Sequence, residues 1–188
     1  MISLFRASLV ATLGLMTLTG LAYPLAVTGV CQLVWPQTAN GSLATAPDGA
    51  VVGSALIGQA FSSPGFFWGR PSSAGSGYDA QSSSPSNLGP TSQKLSDSFG
   101  AEAARARADG VTGVIPGDRL TGSGSGLDPD ISIDNALGQV PRVAQARGLD
   151  QGTLRGLIQA QAQGRTFGLW GEPRVNVLAL NRALPGVK

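Results

Sequence analysis

The sequence contains no histidine and a single cysteine, Cys31, among its 188 residues. The absence of histidine excludes Ser-His-Asp and Cys-His nucleophilic catalysis, and it excludes any metal site built on imidazole. A single cysteine excludes an internal disulfide framework and a thiolate zinc site. Asp and Glu alone can still act as acid and base, but their spacing recommends no particular pair.

Charged residues are also missing from the long stretch between Ala7 and Pro47. Residues 7–34 are almost continuously apolar, and a helix needs about 20 such residues to cross a bilayer core. We predict three segments before the folded domain: a cytoplasmic end at 1–6, a transmembrane helix at 7–35 and a tether at 36–49. Arg6 is the only basic residue before the helix, so the positive-inside rule places the rest of the chain outside the cytoplasm.

A cleavable secretory signal is the alternative for this stretch, with Gly20-Leu21-Ala22 as the candidate cleavage site. The apolar run continues well past that site to Trp35, which a discarded signal does not need. A retained anchor is therefore the preferred interpretation. Pro24 is expected to bend the helix, and Trp35 lies where an interfacial aromatic residue is typical.

The remaining chain, residues 50–188, is long enough for one domain with its own core. Twelve of the 13 basic residues and all 11 acidic residues follow the apolar stretch, so the net charge of this domain is close to zero. No basic stripe interleaved with aromatic residues is visible, and the sequence therefore shows no nucleic-acid footprint.

Periodicity and capping residues predict the elements of this domain. Strands are expected at 50–58 and 174–181, and helices at 93–108, at 133–146 after a Ser132 cap, and from an Asp150 cap to about residue 163. Pro141 is expected to bend or interrupt the second helix. The predicted fold class is a single N-terminal transmembrane helix followed by one extracytoplasmic α/β or α+β domain.

An aromatic cluster follows the first predicted strand, with Phe61, Phe66, Phe67 and Trp68 in close succession. Packing in the core of the domain is the preferred interpretation. The alternative is a patch that faces a partner, because aromatic residues anchor protein interfaces. The segment after it, residues 69–90, is rich in Ser, Gly and Pro and is long for a connection, which indicates disorder or function.

The run Gly122–Gly126 alternates glycine with serine and invites comparison with phosphate-binding loops. A dinucleotide-binding loop requires glycine where Leu127 lies, and the other phosphate loop requires Lys-Ser or Lys-Thr where Leu127-Asp128 follows. We therefore predict a tight, close-packed turn in which only glycine fits, with Asp128-Pro129 fixing its exit.

Several short motifs occur in order along almost the whole chain. They are Thr19-Gly20 with Tyr23-Pro24-Leu25, Gly53-Ser54-x-Leu56-Ile57-Gly58-Gln59-x-Phe61, Phe67-Trp68-Gly69-Arg70-Pro71-Ser72, Tyr78-Asp79, Ser86-Asn87-Leu88-Gly89-Pro90, the 121–132 stretch around Gly124-Ser125-Gly126-Leu127-Asp128-Pro129, Val140-Pro141-Arg142-Val143-Ala144 and Arg174-Val175-Asn176-Val177-Leu178-x-Leu180-Asn181. With the apolar segment in front, this order resembles the C subunit of the Kdp-type potassium-transporting ATPase of prokaryotes. The sequence departs from that family at Asp130, where the family usually has histidine.

The resemblance implies a non-catalytic subunit of an ATP-driven, high-affinity potassium uptake complex in the inner membrane of a prokaryote. It implies contact with membrane lipid, no nucleic acid, and three partners: a channel-like potassium-binding subunit, a P-type ATPase subunit and a small hydrophobic subunit. ATP, Mg²⁺ and K⁺ would act in the complex, and this chain alone would bind no cofactor. The sequence agrees by lacking an Asp-Lys-Thr-Gly phosphorylation motif and a filter such as Thr-Val-Gly-Tyr-Gly.

No residue is predicted to be catalytic, to bind a cofactor or to hold a metal. The candidates for partner contact or for a structural role are Gly20, Tyr23, Pro24, Gln59, Arg70, Asn87, Ser123, Ser125, Asp128 and Asn176. The expected role is assembly of the complex, with modulation of K⁺ entry or ATP-driven turnover left open. Two other functions stay open from the residues alone: a membrane-anchored hydrolase that uses an Asp/Glu pair, and an anchored domain that binds an extracellular ligand.

Overall fold

The computed structural model describes residues 1–186 and divides the chain into two compact units. The first unit is Met1–Leu43, and the second begins at Ala44. A long apolar helix makes up most of the first unit, and the second contains helices with two small sheets. The predicted fold class is confirmed in this form, and the extracytoplasmic placement of the second unit stays a prediction.

The first unit contains one helix of 33 residues, Ile2–Val34, which is long and apolar enough to cross a membrane. We call it the anchor helix. It consists of α1 (Ile2–Thr17), a π-helical turn (Leu18–Ala22) and α2 (Tyr23–Val34), and the short α3 (Pro36–Ala39) follows it.

The π-helical turn comes directly before Pro24, the position at which the sequence predicts a bend. Proline has no N–H and disturbs the regular hydrogen-bond pattern of the preceding turn. The N–H of Tyr23 donates to the carbonyl of Leu18, five residues back. Such π turns are a known response to an interruption of the helical ladder, and here the helix stays continuous.

As described up to residue 186, the second unit contains five helices and three of the four strands, and the remaining strand crosses its boundary. The helices are α4 (Gln93–Ala108), α5 (Gly117–Leu120), α6 (Ile133–Arg147), α7 (Gln151–Gln161) and α8 (Val177–Arg182). The strands are β1 (Leu43–Thr45), β2 (Val51–Ser54), β3 (Asp130–Ser132) and β4 (Arg174–Asn176). β1 pairs with β2, and β3 pairs antiparallel with β4, with Ile131 opposite Val175.

The predicted helix starts at α6 and α7 are confirmed by their caps. The Ser132 hydroxyl accepts from the N–H of Asn135 at 3.1 Å, and the Asp150 carboxylate accepts from that of Thr153 at 2.8 Å. These side chains satisfy N–H groups that have no partner within the first turn. Pro141 lies inside α6 without interrupting it.

The core of the second unit lies between α6, α7, the β3–β4 sheet and α8. Its buried apolar residues are Phe67, Ile131, Ala136, Val140, Val143, Ala144, Leu154, Ile158, Val175, Val177, Leu180 and Leu184. Phe61 and Phe66 pack against this cluster and are partly buried. For these three phenylalanines, the preferred interpretation of the aromatic cluster as core is confirmed.

Both predicted strands are wrong in length because polar side chains end them. In the predicted strand 174–181, only Arg174–Asn176 is extended, since Asn176 caps α8 by accepting from the N–H of Ala179 at 3.0 Å. In the predicted strand 50–58, only Val51–Ser54 is extended. There the Ser54 hydroxyl accepts from the N–H of Leu56 at 3.1 Å and turns the chain.

Candidate functional site

The Gly-Ser segment, residues 121–129, is a close-packed turn. The Ser125 hydroxyl accepts from the N–H of Leu127 at 3.0 Å. Gly126 has φ +69°, and a Cβ there would lie 2.8 Å from the backbone N of Ala74 and 2.8 Å from the Ser84 carbonyl oxygen. Only glycine fits this position, because the backbone is left-handed and no space is left for a side chain.

Arg70 binds this segment from the neighbouring loop. Its Nη1 lies 3.0 Å from a carboxylate oxygen of Asp128, and its other nitrogens donate to the carbonyls of Thr121 and Gly122 at 3.3 and 3.1 Å. The sequence left open whether Arg70 contacts a carboxylate of another chain or covers apolar surface. In the structure its carboxylate partner lies on its own chain.

Tyr78 completes this contact between the two loops. Its hydroxyl donates to the carbonyl of Arg70 at 2.6 Å. Burial raises the pKa of Tyr78 to about 12, the negative charge of Asp128 adds to this, and the positive charge of Arg70 opposes it. Tyr78 therefore stays a neutral hydrogen-bond donor at physiological pH. Gly69 makes room for it, since a Cβ there would collide with the Tyr78 hydroxyl.

Asn176 belongs to a second cluster, across the β3–β4 pair. Its amide nitrogen donates to the Asp130 carboxylate at 3.1 Å and to the carbonyl of Ala55 at 3.0 Å. The other Asp130 oxygen accepts from Arg174 Nε at 2.9 Å. Asp130, the departure from the family pattern, thus links β3 to β4, and Asn176 links this pair of strands to the segment after β2.

Two buried side-chain amides hold the backbone of the Phe67–Trp68 segment. Asn181 accepts from the N–H of Phe67 at 2.7 Å and donates to its carbonyl at 2.9 Å. Gln139 accepts from the N–H of Trp68 at 2.8 Å and donates to its carbonyl at 3.0 Å. Sequence reasoning missed both residues. The available signal was their position, since Gln139 lies on the buried face of α6 beside Val140.

A cluster of arginines surrounds the Trp68 ring and shares one buried carboxylate, Asp109. Arg119 and Arg142 both form ion pairs with Asp109, and the Arg142 guanidinium lies 3.6 Å from the Trp68 ring centre. Burial lowers the pKa of Arg119, and it lowers that of Arg142 to about 10, while Asp109 opposes both shifts. Sequence reasoning missed this cluster, because its members come from separate segments with no shared pattern.

The other predicted candidates form no part of these clusters, apart from Ser123, which lies in the Gly-Ser segment. Gln59 lies against Gly53, and Asn87 is exposed, with a left-handed φ of +52°. Ser123 is buried, and its hydroxyl lies 3.5 Å from that of Ser125. Three candidates belong to the first unit, where they lie exposed around the π-helical turn: Gly20, Tyr23 and Pro24.

The carboxylates of these clusters are bound by arginines, since Asp128 and Asp130 each form an ion pair with one arginine and Asp109 forms ion pairs with two. Among residues 1–186, no group of three or more His, Cys, Asp or Glu side chains is placed to hold a metal ion. The two units together define the class: a protein with one candidate membrane span and a small α+β domain whose loops are fixed by internal polar contacts.

Comparison with known proteins gives the family. The family described as "K+-transporting ATPase, c chain" matches residues 5–185. The potassium-transporting ATPase KdpC subunit of Caulobacter vibrioides is 57% identical over 98% of this chain and 93% of its own length. The KdpC subunits of Myxococcus xanthus and Methylobacterium nodulans are 51% and 52% identical over 98% of this chain, and over 88% and 97% of their own lengths.

The chain belongs to the KdpC family and is an accessory subunit of the K⁺-transporting ATPase. The resemblance drawn from the sequence motifs is confirmed, and so is the prediction that the chain is not the catalytic subunit. The comparisons support neither the anchored hydrolase nor the anchored ligand-binding domain.

Proposed function

We propose that this chain stabilises the assembly of an ATP-driven potassium uptake complex in the inner membrane. Its partners are a channel-like potassium-binding subunit, a P-type ATPase subunit and a small hydrophobic subunit. ATP, Mg²⁺ and K⁺ act in those partners, and this chain binds none of them. The observation that carries the proposal is the exposed anchor helix in a chain of this family, because a largely apolar helix of 33 residues needs lipid or neighbouring helices around it.

Small residues along the anchor helix support close contact with neighbouring helices. Gly14, Gly20 and Gly29 each have nothing within 4 Å of the position that a Cβ would occupy. Membrane helices associate through packing at small residues, since the hydrophobic effect does not drive association inside lipid. These glycines are therefore the points at which we place the helix contacts of the complex.

Anchoring also keeps the second unit near its partners. A tether converts a second contact into an intramolecular one with a high effective concentration, so weak contacts persist. Contacts of this kind are sufficient to modulate K⁺ entry or ATP-driven turnover from outside the membrane. A contribution to nucleotide affinity would have to be transmitted through the partners.

We expect tagged full-length chain, extracted in mild detergent, to co-isolate with the channel-like and P-type subunits, and we expect Gly20→Ile to lower their recovery several-fold. The larger side chain keeps a neighbouring helix at a distance. Leu13→Ile is the control, because it changes an exposed residue of the same helix from one large apolar side chain to another. Absence of both partners from the unaltered sample would refute the assembly role, and equal recovery with Gly20→Ile would refute the role of this glycine.

We also expect a defined orientation, since Arg6 lies near the amino-terminal end of the anchor helix, before its uncharged stretch, and the positive-inside rule then places the second unit outside the cytoplasm. Replacing Cys31 with Ser leaves no cysteine, so single cysteines can be introduced at exposed Ser3 or Thr112. A membrane-impermeant maleimide should label Thr112→Cys in intact spheroplasts, and Ser3→Cys only after lysis. The opposite pattern would place the second unit in the cytoplasm.

A further inference from the structure

A rigid hairpin, residues 163–174, projects three large apolar side chains into solvent. Gln163 and Arg174 exchange two backbone hydrogen bonds of 2.8 and 3.0 Å, and Thr166 and Trp170 exchange two more, of 2.8 and 3.0 Å. Between them, Arg165 Nη2 donates to both carboxylate oxygens of Glu172 at 2.9 and 2.8 Å. The hairpin is thus held along its length, and its tip, residues 167–170, is an ordered feature.

The tip is apolar and unusually exposed. Phe167 is 84% exposed, Leu169 71% and Trp170 65%. The Phe167 and Trp170 rings meet edge to face with centres 5.9 Å apart. Phe167 has φ +54°, a backbone conformation that is rare for a bulky residue and that tends to occur at functional positions.

The tip can also be buried at little cost, because most of its backbone N–H groups are already hydrogen-bonded within the hairpin. The N–H groups of Gly168 and Leu169 donate to the carbonyls of Arg165 and Thr166 at 3.0 and 3.1 Å, so burial of the tip removes neither donor from its partner. Residues 167–171 carry no charge, and the nearest charges, Arg165 and Glu172, neutralise each other. The matching surface must therefore be apolar and uncharged.

We propose that the tip docks into an uncharged apolar pocket on another subunit of the K⁺-transporting ATPase. This inference rests on the proposed assembly function. The three side chains expose on the order of 400 Å², since an aromatic residue can bury 150–250 Å². A stable interface buries about 800 Å² on each partner. The tip alone is too small to bind a freely diffusing protein or a second copy of this chain. It is large enough to bind a partner that the anchor helix already contacts in the same membrane.

A lipid surface fits the hairpin less well than a protein pocket. Segments that lie on membranes usually combine an apolar face with basic residues that attract anionic headgroups. Both basic residues of the hairpin are already bound by carboxylates, Arg165 by Glu172 and Arg174 by Asp130. Neither basic side chain of the hairpin is therefore free to bind an anionic lipid headgroup.

The test places a benzophenone-bearing phenylalanine at Leu169 in the full-length chain, in membranes that contain the other subunits. On irradiation we expect a crosslink to one subunit of the ATPase. The same probe at Val114, which is 94% exposed and distant in sequence from the hairpin, is the control and should not give that crosslink. A crosslink from Leu169 only to lipid, or only to a second copy of this chain, would overturn the proposal.

A second measurement compares Leu169→Asp with Val114→Asp in the co-isolation assay. We expect Leu169→Asp to lower partner recovery about 10-fold and Val114→Asp to leave it unchanged, with circular dichroism showing that both chains fold. Equal recovery in the two variants would overturn the docking proposal while the assembly function stands. Absence of partners from the unaltered chain would overturn both.

Discussion

Asp109→Asn is expected to lower the free energy of unfolding of the second unit by about 3–5 kcal/mol. Asp109 is 9% exposed and is the carboxylate that pairs with both Arg119 and Arg142. Asparagine keeps the shape of the side chain but removes its charge, which leaves the guanidinium groups of buried Arg119 and partly buried Arg142 near the Trp68 ring without this counter-charge. Removing one partner of a buried ion pair usually lowers the free energy of unfolding by more than the pair itself contributes, because the other charge stays buried without compensation.

Chemical denaturation in detergent, followed by tryptophan fluorescence, measures this loss. Asp134→Asn is the matched control, because Asp134 is an exposed carboxylate in the first turn of α6. The control should change the free energy of unfolding by no more than about 1 kcal/mol, the usual size of a helix-dipole contribution. Similar losses in the two variants would mean that the buried cluster is not a major source of stability.

Gly126→Ala and Gly124→Ala are compared next, because the same substitution two residues apart should have effects of very different size. At Gly126 the backbone is left-handed, with φ +69°, and an added Cβ lies 2.8 Å from two backbone atoms. At Gly124 nothing lies within 4 Å. We expect a loss of about 2–4 kcal/mol at Gly126, where backbone strain and overpacking add, and less than about 1 kcal/mol at Gly124.

Thermal unfolding of both variants gives the result directly, since about 3 kcal/mol lowers Tm by roughly 10 °C in a chain of this size. The loss at Gly126 should accompany loosening of the loops that this turn holds, including the one that carries Tyr78. A stable Gly126→Ala variant would show that the turn has room to relax, and the close-packed interpretation of the Gly-Ser segment would fail.

Elements with strong local signals could be predicted from the sequence. The anchor helix follows from its uncharged apolar run, and α6 and α7 follow from the caps Ser132 and Asp150 with periodic apolar residues behind them. The prediction of a strand at 174–181 failed because its composition favours a strand, whereas the Asn176 side chain accepts a hydrogen bond from the N–H of Ala179 and starts a helix. Strand propensity averaged over a window cannot weigh a single cap against two valines and the leucines that follow them.

The site was predictable only in part, for a similar reason. Arg70 and Asp128 were identified by motif, and the structure pairs them. The buried amides Gln139 and Asn181 carried no motif of their own, because their role is visible only when the backbone of Phe67 and Trp68 lies beside them. Contacts between residues more than 70 positions apart depend on tertiary packing, and local patterns do not encode them.

The π-helical turn before Pro24 has a consequence for the energetics of the anchor helix in hydrocarbon. Proline offers no amide hydrogen, so the carbonyl of Gly20, four residues before Pro24, lacks the donor that a regular helix would supply. The Thr19 hydroxyl does not supply one, since it donates to the Leu15 carbonyl at 2.7 Å. Lipid tails cannot satisfy such an acceptor, but a hydroxyl or amide of an adjoining helix can. A hydrogen bond to this oxygen from another helix therefore favours an anchor helix that packs against other membrane helices over one surrounded only by lipid.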